Sequence, residues 1–169
     1  IIRETVTTIL LALVLALVIR AYVVEARIIP SGSMLPTIEE GDRVLVNKIV
    51  YHLRQPQRGE IIVFEAPVMM PDSQDDFIKR VIGLPGDKIE IKEGKVYVND
   101  EPLEEDYIAE KPDYNFGPVT VPEDALFVMG DNRNSSYDSH LWNTWLRLDK
   151  VKGEAFVRYW PLDRIGKIE

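Results

Sequence analysis

Residues 5–19 run uncharged as TVTTILLALVLALVI, and after Arg20 the apolar texture resumes through Ala21, Tyr22, Val23 and Val24. The run is too uniformly apolar for an amphipathic surface helix. At about 1.5 Å per residue the stretch ending at Val24 measures roughly 30 Å, the thickness of one hydrocarbon core. Arg20 would then snorkel towards the headgroups. Three readings fit such a run: a transmembrane anchor, a signal peptide, and a buried helix of the globular body. Its length favours the anchor. The large or charged residues that follow, Tyr22, Val23, Val24 and Glu25, leave no small-x-small cleavage site for a signal peptide. Arg3 and Glu4 cancel before the run, so local charge gives no support to an N-in orientation.

Beyond Pro30 the pattern shortens into β-type runs punctuated by Gly, Pro, Asn and Asp, with no heptads and no internal repeat. Strands are predicted at 43–48, 60–64, 77–82, 88–91, 95–98, 125–128 and 154–159. Glu93 and Gly94 form a two-residue hairpin turn between two of them, the glycine supplying positive φ. Residues 101–118, rich in Pro, Asp, Glu and Tyr, carry no clear period and read as an inserted cap or loop. The expected organisation is an anchor with a juxtamembrane segment at 1–29 and a mainly β body at 30–169.

Composition narrows the chemistry. The 169 residues include no cysteine and two histidines, His52 and His140. Thiol nucleophiles, iron–sulfur sites, zinc fingers and H-E-x-x-H zinc sites therefore drop out. The formal charge is −8, divided as +1 over residues 1–29 and −9 over the rest, which argues against nucleic acid as a partner.

Three segments are candidates for chemistry. The first, Pro30-Ser31-Gly32-Ser33-Met34-Leu35-Pro36-Thr37, holds two serines on a loop stiffened by prolines, with Gly32 expected to allow close backbone approach and unusual dihedrals. A serine hydroxyl is inert until a base takes its proton; otherwise the cluster is a plain turn. The second is Lys79 in Phe77-Ile78-Lys79-Arg80-Val81-Ile82. Strand alternation places Phe77, Lys79 and Val81 on one face and Ile78, Arg80 and Ile82 on the other. Burial among apolar neighbours lowers a lysine pKa and yields a neutral amine fit to act as a base; in the open, the same lysine would merely guard a strand edge. The third is the polar segment from Gly130-Asp131-Asn132-Arg133 through Ser136 and Asp138 to His140, directly after an apolar strand. It reads as a surface turn or as a shell that orients active groups. Asp138 and His140 also invite a Ser/His/Asp triad, which no recognisable triad motif supports.

In order along the chain, the serine loop, Gly41-Asp42-Arg43, Arg58-Gly59-Glu60, the lysine segment through Gly83-Leu84-Pro85-Gly86-Asp87, and Gly130-Asp131-Asn132-Arg133 resemble the boxes of type I signal peptidases. These are membrane-bound serine proteases that use a Ser/Lys dyad. The resemblance implies a mainly β fold of antiparallel coiled, barrel-like sheets behind one N-terminal transmembrane helix, with a short inserted cap at about 89–121. It implies Ser33 as nucleophile, Lys79 as general base, and an oxyanion hole made by the Ser33 N–H and the Ser31 hydroxyl. Met34 follows the nucleophile as in the family. Ser136 would orient the Lys79 amine, Asp138 would brace that loop, and Arg80 would be structural. No cofactor or metal is implied.

The implied partners are preproteins cleaved after small residues at the third and first positions before the cut, together with the lipid bilayer, the enzyme acting as a monomer. The implied location is the cell membrane with the catalytic body on the extracytoplasmic side, or the thylakoid membrane. The rival of another class is a non-catalytic membrane-anchored β module that binds secreted partners; a self-cleaving Ser/Lys peptidase of the repressor type ranks behind it. Two departures stand out. His140 occupies a position where the family often has Arg, making an ion pair with Asp138 conditional on protonation. Asn143 replaces a usual Gly, and 144–146 leave the common continuation. Leu141, Trp142, Trp145 and Leu146 either dip into the bilayer interface or, for the tryptophans, fill the core.

Overall fold

The computed structural model describes residues 1–67 and 76–169. Helix α1 (Ile2–Tyr22) has 21 residues, none of them buried, so it is not a core helix of the body. At about 31 Å it is long enough to cross a bilayer. The apolar run outlasts the helix, because the β-branched end of the run changes conformation. Val24–Ile28 form strand β1, antiparallel to β2 (Arg43–Asn47), with Val24 opposite Asn47 and Ile28 opposite Arg43. Lys48 fastens the joint: its backbone N–H donates to the Val23 carbonyl at 2.8 Å and its Nζ to the Ala21 carbonyl at 2.6 Å.

After one helical turn, α2 (Val50–Leu53), the chain forms β3 (Ile61–Phe64) and β4 (Phe77–Gly83). A separate four-stranded antiparallel sheet follows, ordered β7-β6-β5-β8, from β5 (Lys88–Lys92), β6 (Lys95–Val98), β7 (Glu101–Pro102) and β8 (Phe116–Thr120). The chain then returns through β9 (Ala125–Met129), the helical turn α3 (Ser139–Trp142), β10 (Leu146–Arg147), β11 (Val151–Trp160) and β12 (Gly166–Lys167). The main sheet runs β1-β2-β11-β3-β4-β9-β10, with β12 on β11. Register shifts along β11 at Val151/Gly153, Ala155/Val157 and Arg158/Trp160 curl it into a half-barrel. The fold is mainly β and antiparallel, as expected.

The Glu93-Gly94 turn has both central residues at positive φ, 51° and 71°, the signature of a type I′ hairpin. The cap proves more ordered than its composition predicts. Strand β8 escaped the pattern because it contains Gly117 and Pro118, which together face the single residue Glu90 where the pairing with β5 shifts.

Strand β4 lies between β3 and β9, and every residue from Ile78 to Gly83 is buried. The predicted alternation holds. Phe77 and Val81 pack with Ile62, Phe64, Leu126, Val128, Trp142 and Leu146, whereas Ile78 joins Met34, Ile38, Val44, Val46 and Ile61 in another cluster. Trp142 meets Phe64 edge-on, with ring centroids 5.8 Å apart, so Trp142 and Leu146 are core residues and do not reach a bilayer. Trp145 packs partly buried on Phe127, while Leu141 stays exposed. Asn143 takes φ 56° at the end of α3, a left-handed position that asparagine tolerates where glycine is usual, so the backbone route survives the departure.

Trp142→Ala is expected to lower unfolding free energy by about 3–5 kcal/mol without changing association with liposomes. Chemical denaturation in detergent, set beside vesicle flotation, checks both.

Candidate active site

The loop after β1 is pinned from both ends. Ile29 donates its N–H to Asp42 O at 2.9 Å and accepts from the Gly41 N–H at 2.9 Å. Met34 and Ile38 are fully buried, so the short arc between Ile29 and Met34 is held on the surface with Ser31 and Ser33 on it. Gly32 has no positive φ, and its constraint is the close approach: a Cβ there would sit 3.0 Å from Leu35 Cδ1. The arc borders a cleft of about 450 Å³ whose lining includes Ser31, Ser33, Phe77, Lys79, Asn132 and Tyr137.

Lys79 Nζ lies 2.9 Å from Ser33 Oγ, joining two residues 46 apart in sequence. The amine also donates to Ile78 O at 2.9 Å, and Lys79 as a whole is 5 % exposed. Loss of hydration lowers its pKa from 10.5 to about 8, against the opposing pull of the Asp138 and Asp131 carboxylates. Ser31 Oγ stands 3.5 Å from Ser33 Oγ, on the same side of the arc. A hydroxyl touching a poorly hydrated amine is what nucleophilic attack at mild pH requires.

The polar segment after β9 forms the back of this site. Asn132 grips the serine arc twice, its N–H donating to Ser33 O at 3.0 Å and its Nδ2 to Gly32 O at 3.0 Å. Asp131 is fully buried and holds Arg80 by two bonds, Nε–Oδ1 at 2.8 Å and Nη2–Oδ2 at 2.7 Å, while Thr37 Oγ1 donates to Oδ2 at 2.5 Å. Arg80, on the β4 face opposite Lys79, thus ties the strand of the amine to the loop of the hydroxyl. Asp138 caps α3 and accepts from the Gly130 N–H at 2.9 Å.

Ser136 and His140 both stand outside the hydrogen bonds of the Lys79 amine. Lys79 is bonded to Ser33 and Ile78 and not to Ser136, whose Oγ is buried against Gly130 with no hydrogen-bond partner among the described residues. His140 places Nδ1 2.5 Å from Asp138 Oδ1, and its ring stacks on Tyr114 at 4.1 Å and 5°. That ring is not among the residues lining the cleft, so the geometry gives a Ser/His/Asp triad no footing. Sequence reasoning quoted Asn132 without giving it a task. Its grip is made through backbone carbonyls 99 and 100 positions away, which no residue pattern reveals.

Gly130 lies between Ser33 and Ser136. A Cβ on it would lie 2.2 Å from Ser136 Oγ and 2.4 Å from Ser33 O. Gly130→Ala is expected to push the Ser33 backbone aside and to destabilise the protein by about 1–3 kcal/mol or more, checked by thermal denaturation followed by circular dichroism.

The family described as "Signal peptidase, peptidase S26" matches residues 2–160. The signal peptidase I of Leptolyngbya laminosa is 50% identical over 169 residues, covering 98% of this chain and 83% of the relative. Thylakoidal processing peptidase 1, chloroplastic, of Arabidopsis thaliana is 38% identical over 92% of this chain and 47% of its own length. Among solved structures, a signal peptidase I from Enterococcus faecalis V583 superposes with a TM-score of 0.51 at 33% identity, covering 60% of this chain and 97% of that one. A serine held against a buried lysine, on a curled β half-barrel behind an apolar helix, accords with this kinship: the chain belongs to the signal peptidase I family, peptidase S26.

Proposed function

We propose that this protein is a membrane-anchored endopeptidase that removes signal peptides from preproteins, with Ser33 as nucleophile and Lys79 as general base. The 2.9 Å approach of a buried amine to the Ser33 hydroxyl carries the assignment. Neutral Lys79 takes the hydroxyl proton as Ser33 Oγ attacks the scissile carbonyl, and the ammonium so formed protonates the departing amine. A water then cleaves the acyl-enzyme with Lys79 again as base. The Ser33 N–H and the Ser31 hydroxyl receive the oxyanion, where one donor is worth about 3 kcal/mol. Met34 anchors the nucleophile from inside the core, Arg80 and Asp138 hold the surrounding loops, and Ser136 stands by as a contact for the amine once it moves.

Residues 1–29 serve as the anchor and juxtamembrane segment and 30–169 as the catalytic body, with the sheet at about 89–121 as its cap. The body faces the extracytoplasmic side of the cell membrane as a monomer, or the lumenal side of a thylakoid membrane, a placement favoured by similarity to chloroplast processing peptidases. Small residues at the third and first positions before the cut suit the apolar walls that Phe77 and Ile78 give the cleft, with Ile29 in the hollow beside it. Sharing one bilayer with the substrate raises the effective concentration of the scissile bond. A non-catalytic binding module draws no support from a family of peptidases.

Cleavage of a preprotein in liposomes is expected to vanish in Ser33→Ala and Lys79→Ala, both folded, and to persist in His140→Ala. A dead His140→Ala beside an active Lys79→Ala would overturn the assignment. Because the neutral amine is the active form, kcat/KM is expected to rise with pH and level off above about 8.

The same depressed pKa sets a stability trend. Between pH 8 and 10.5 the unfolded chain binds the Lys79 proton more tightly than the folded one, so wild-type stability gains across that window. Lys79→Met, free of this penalty, is expected to be more stable than wild type at pH 7 by up to about 3 kcal/mol, the gap closing as pH approaches 10.5. Denaturation at pH 7 and pH 10 measures it.

A further inference from the structure

The connection between β7 and β8 carries two residues into the back of the active site. Glu105 accepts both terminal nitrogens of Arg133, Nη1–Oε2 at 2.7 Å and Nη2–Oε1 at 2.6 Å. The Arg133 side chain is fully buried and that of Glu105 is 5 % exposed. Tyr107 donates its hydroxyl to Glu105 Oε1 at 3.0 Å, and its ring lies under the Arg80 guanidinium, 3.8 Å from Cζ to the centroid. The cap thus holds both buried arginines that frame the site: Arg80, next to Lys79, and Arg133, next to Asn132.

The contacts continue inward. Arg133 Nε donates to Gly130 O at 3.0 Å, Arg80 grips Asp131, and Asn132 between them makes the two bonds to the serine arc. The Gly130–Arg133 segment is therefore fixed from behind by cap residues and bonded in front to the backbone of Ser33. We propose that Glu105 and Tyr107 are positioning residues for the peptidase reaction: acting through Arg133 and Arg80, they set the segment whose Asn132 holds Ser33 in line with Lys79. This rests on the reading of Ser33 and Lys79 as the dyad.

A brace that acts only through Asn132 has a kinetic signature distinct from lost stability. A displacement of the order of 1 Å at a reacting group costs about 100-fold in rate. For a brace at one remove from Ser33, Glu105→Gln is expected to lower kcat about 10- to 100-fold and leave KM within about 2-fold, because substrate contacts in the cleft are untouched. Asn132→Ala should lower kcat similarly. The double variant should be no slower than the slower single, since the second change removes a support that has already lost its load. Tyr107→Phe keeps the ring and removes the bond to Glu105, so a loss of about 3-fold is expected. Tyr107→Phe with Asn132→Ala replaces the cycle should Glu105→Gln fail to fold.

All variants are assayed as full-length protein in detergent, well below their melting temperatures, beside Ser33→Ala. Independent, multiplied losses in the double variant would overturn the proposal, as would a Glu105→Gln enzyme that melts lower yet retains wild-type kcat. Both results leave the dyad standing, provided Ser33→Ala is dead. An active Ser33→Ala removes the dyad and this inference together.

Discussion

The structure depends on keeping one amine out of water. Lys79 sits mid-strand in β4, between neighbours on both sides, where its charged form is disfavoured and its neutral form meets a hydroxyl. An isolated lysine pays nothing of this kind at a surface, and the fold meets the demand by filling its surroundings. Phe77 and Val81 flank it along the strand, Ile62 pairs with it across to β3, and Met34 closes the base of the serine loop. Two acidic groups, Asp131 and Asp138, stand near enough to raise the pKa again, yet each is already engaged, by Arg80 and by the Gly130 N–H with His140. The amine is left with desolvation as its dominant influence.

A cleft built this way needs rigidity behind it more than a tight fit in front. Buried ion pairs such as Arg80–Asp131 and Arg133–Glu105 contribute little net stability over well-packed apolar residues, but breaking one costs about 3–5 kcal/mol. Here each pair is bidentate, which fixes orientation as well as distance. Their arrangement makes sense of a small sheet that contributes none of its strands to the half-barrel. Its Ile89, Ile91, Val96 and Val98 share one apolar cluster with Ile82, Phe127 and Met129 of the main sheet, and it lends that solidity to a loop that has little apolar packing of its own.

Much of this was legible beforehand because local patterns carried it. Strand β4 alternates as its residues predict, the Glu93-Gly94 turn takes the backbone its glycine permits, and the order of boxes led to the family. What was hidden had nonlocal causes. Strand β1 was hidden because Val24 closes the apolar run while Glu25 and Arg27 interrupt the rest of the strand, and only pairing with β2 defines it. Strand β8 was disguised by Gly117 and Pro118 at a bulge. Glu105 looked like one more acid in a polar stretch, since its partner lies 28 residues on. The bond from the Lys79 amine to the Ile78 carbonyl was hidden too, because a backbone acceptor leaves no mark in the pattern of side chains.

The joint between helix and sheet gives the molecule a fixed height. One residue, Val23, separates α1 from β1, and Lys48 clasps the helix end from the next strand, so the body has no slack tether on which to wander. Five residues of straight strand, about 17 Å, and a short pinned arc carry the chain from the membrane-spanning helix to Ser33. The anchor therefore works as a gauge as well as a tether. Where a flexible linker would let the serine roam over a wide shell, this joint fixes the separation between the end of the apolar helix and the catalytic cleft.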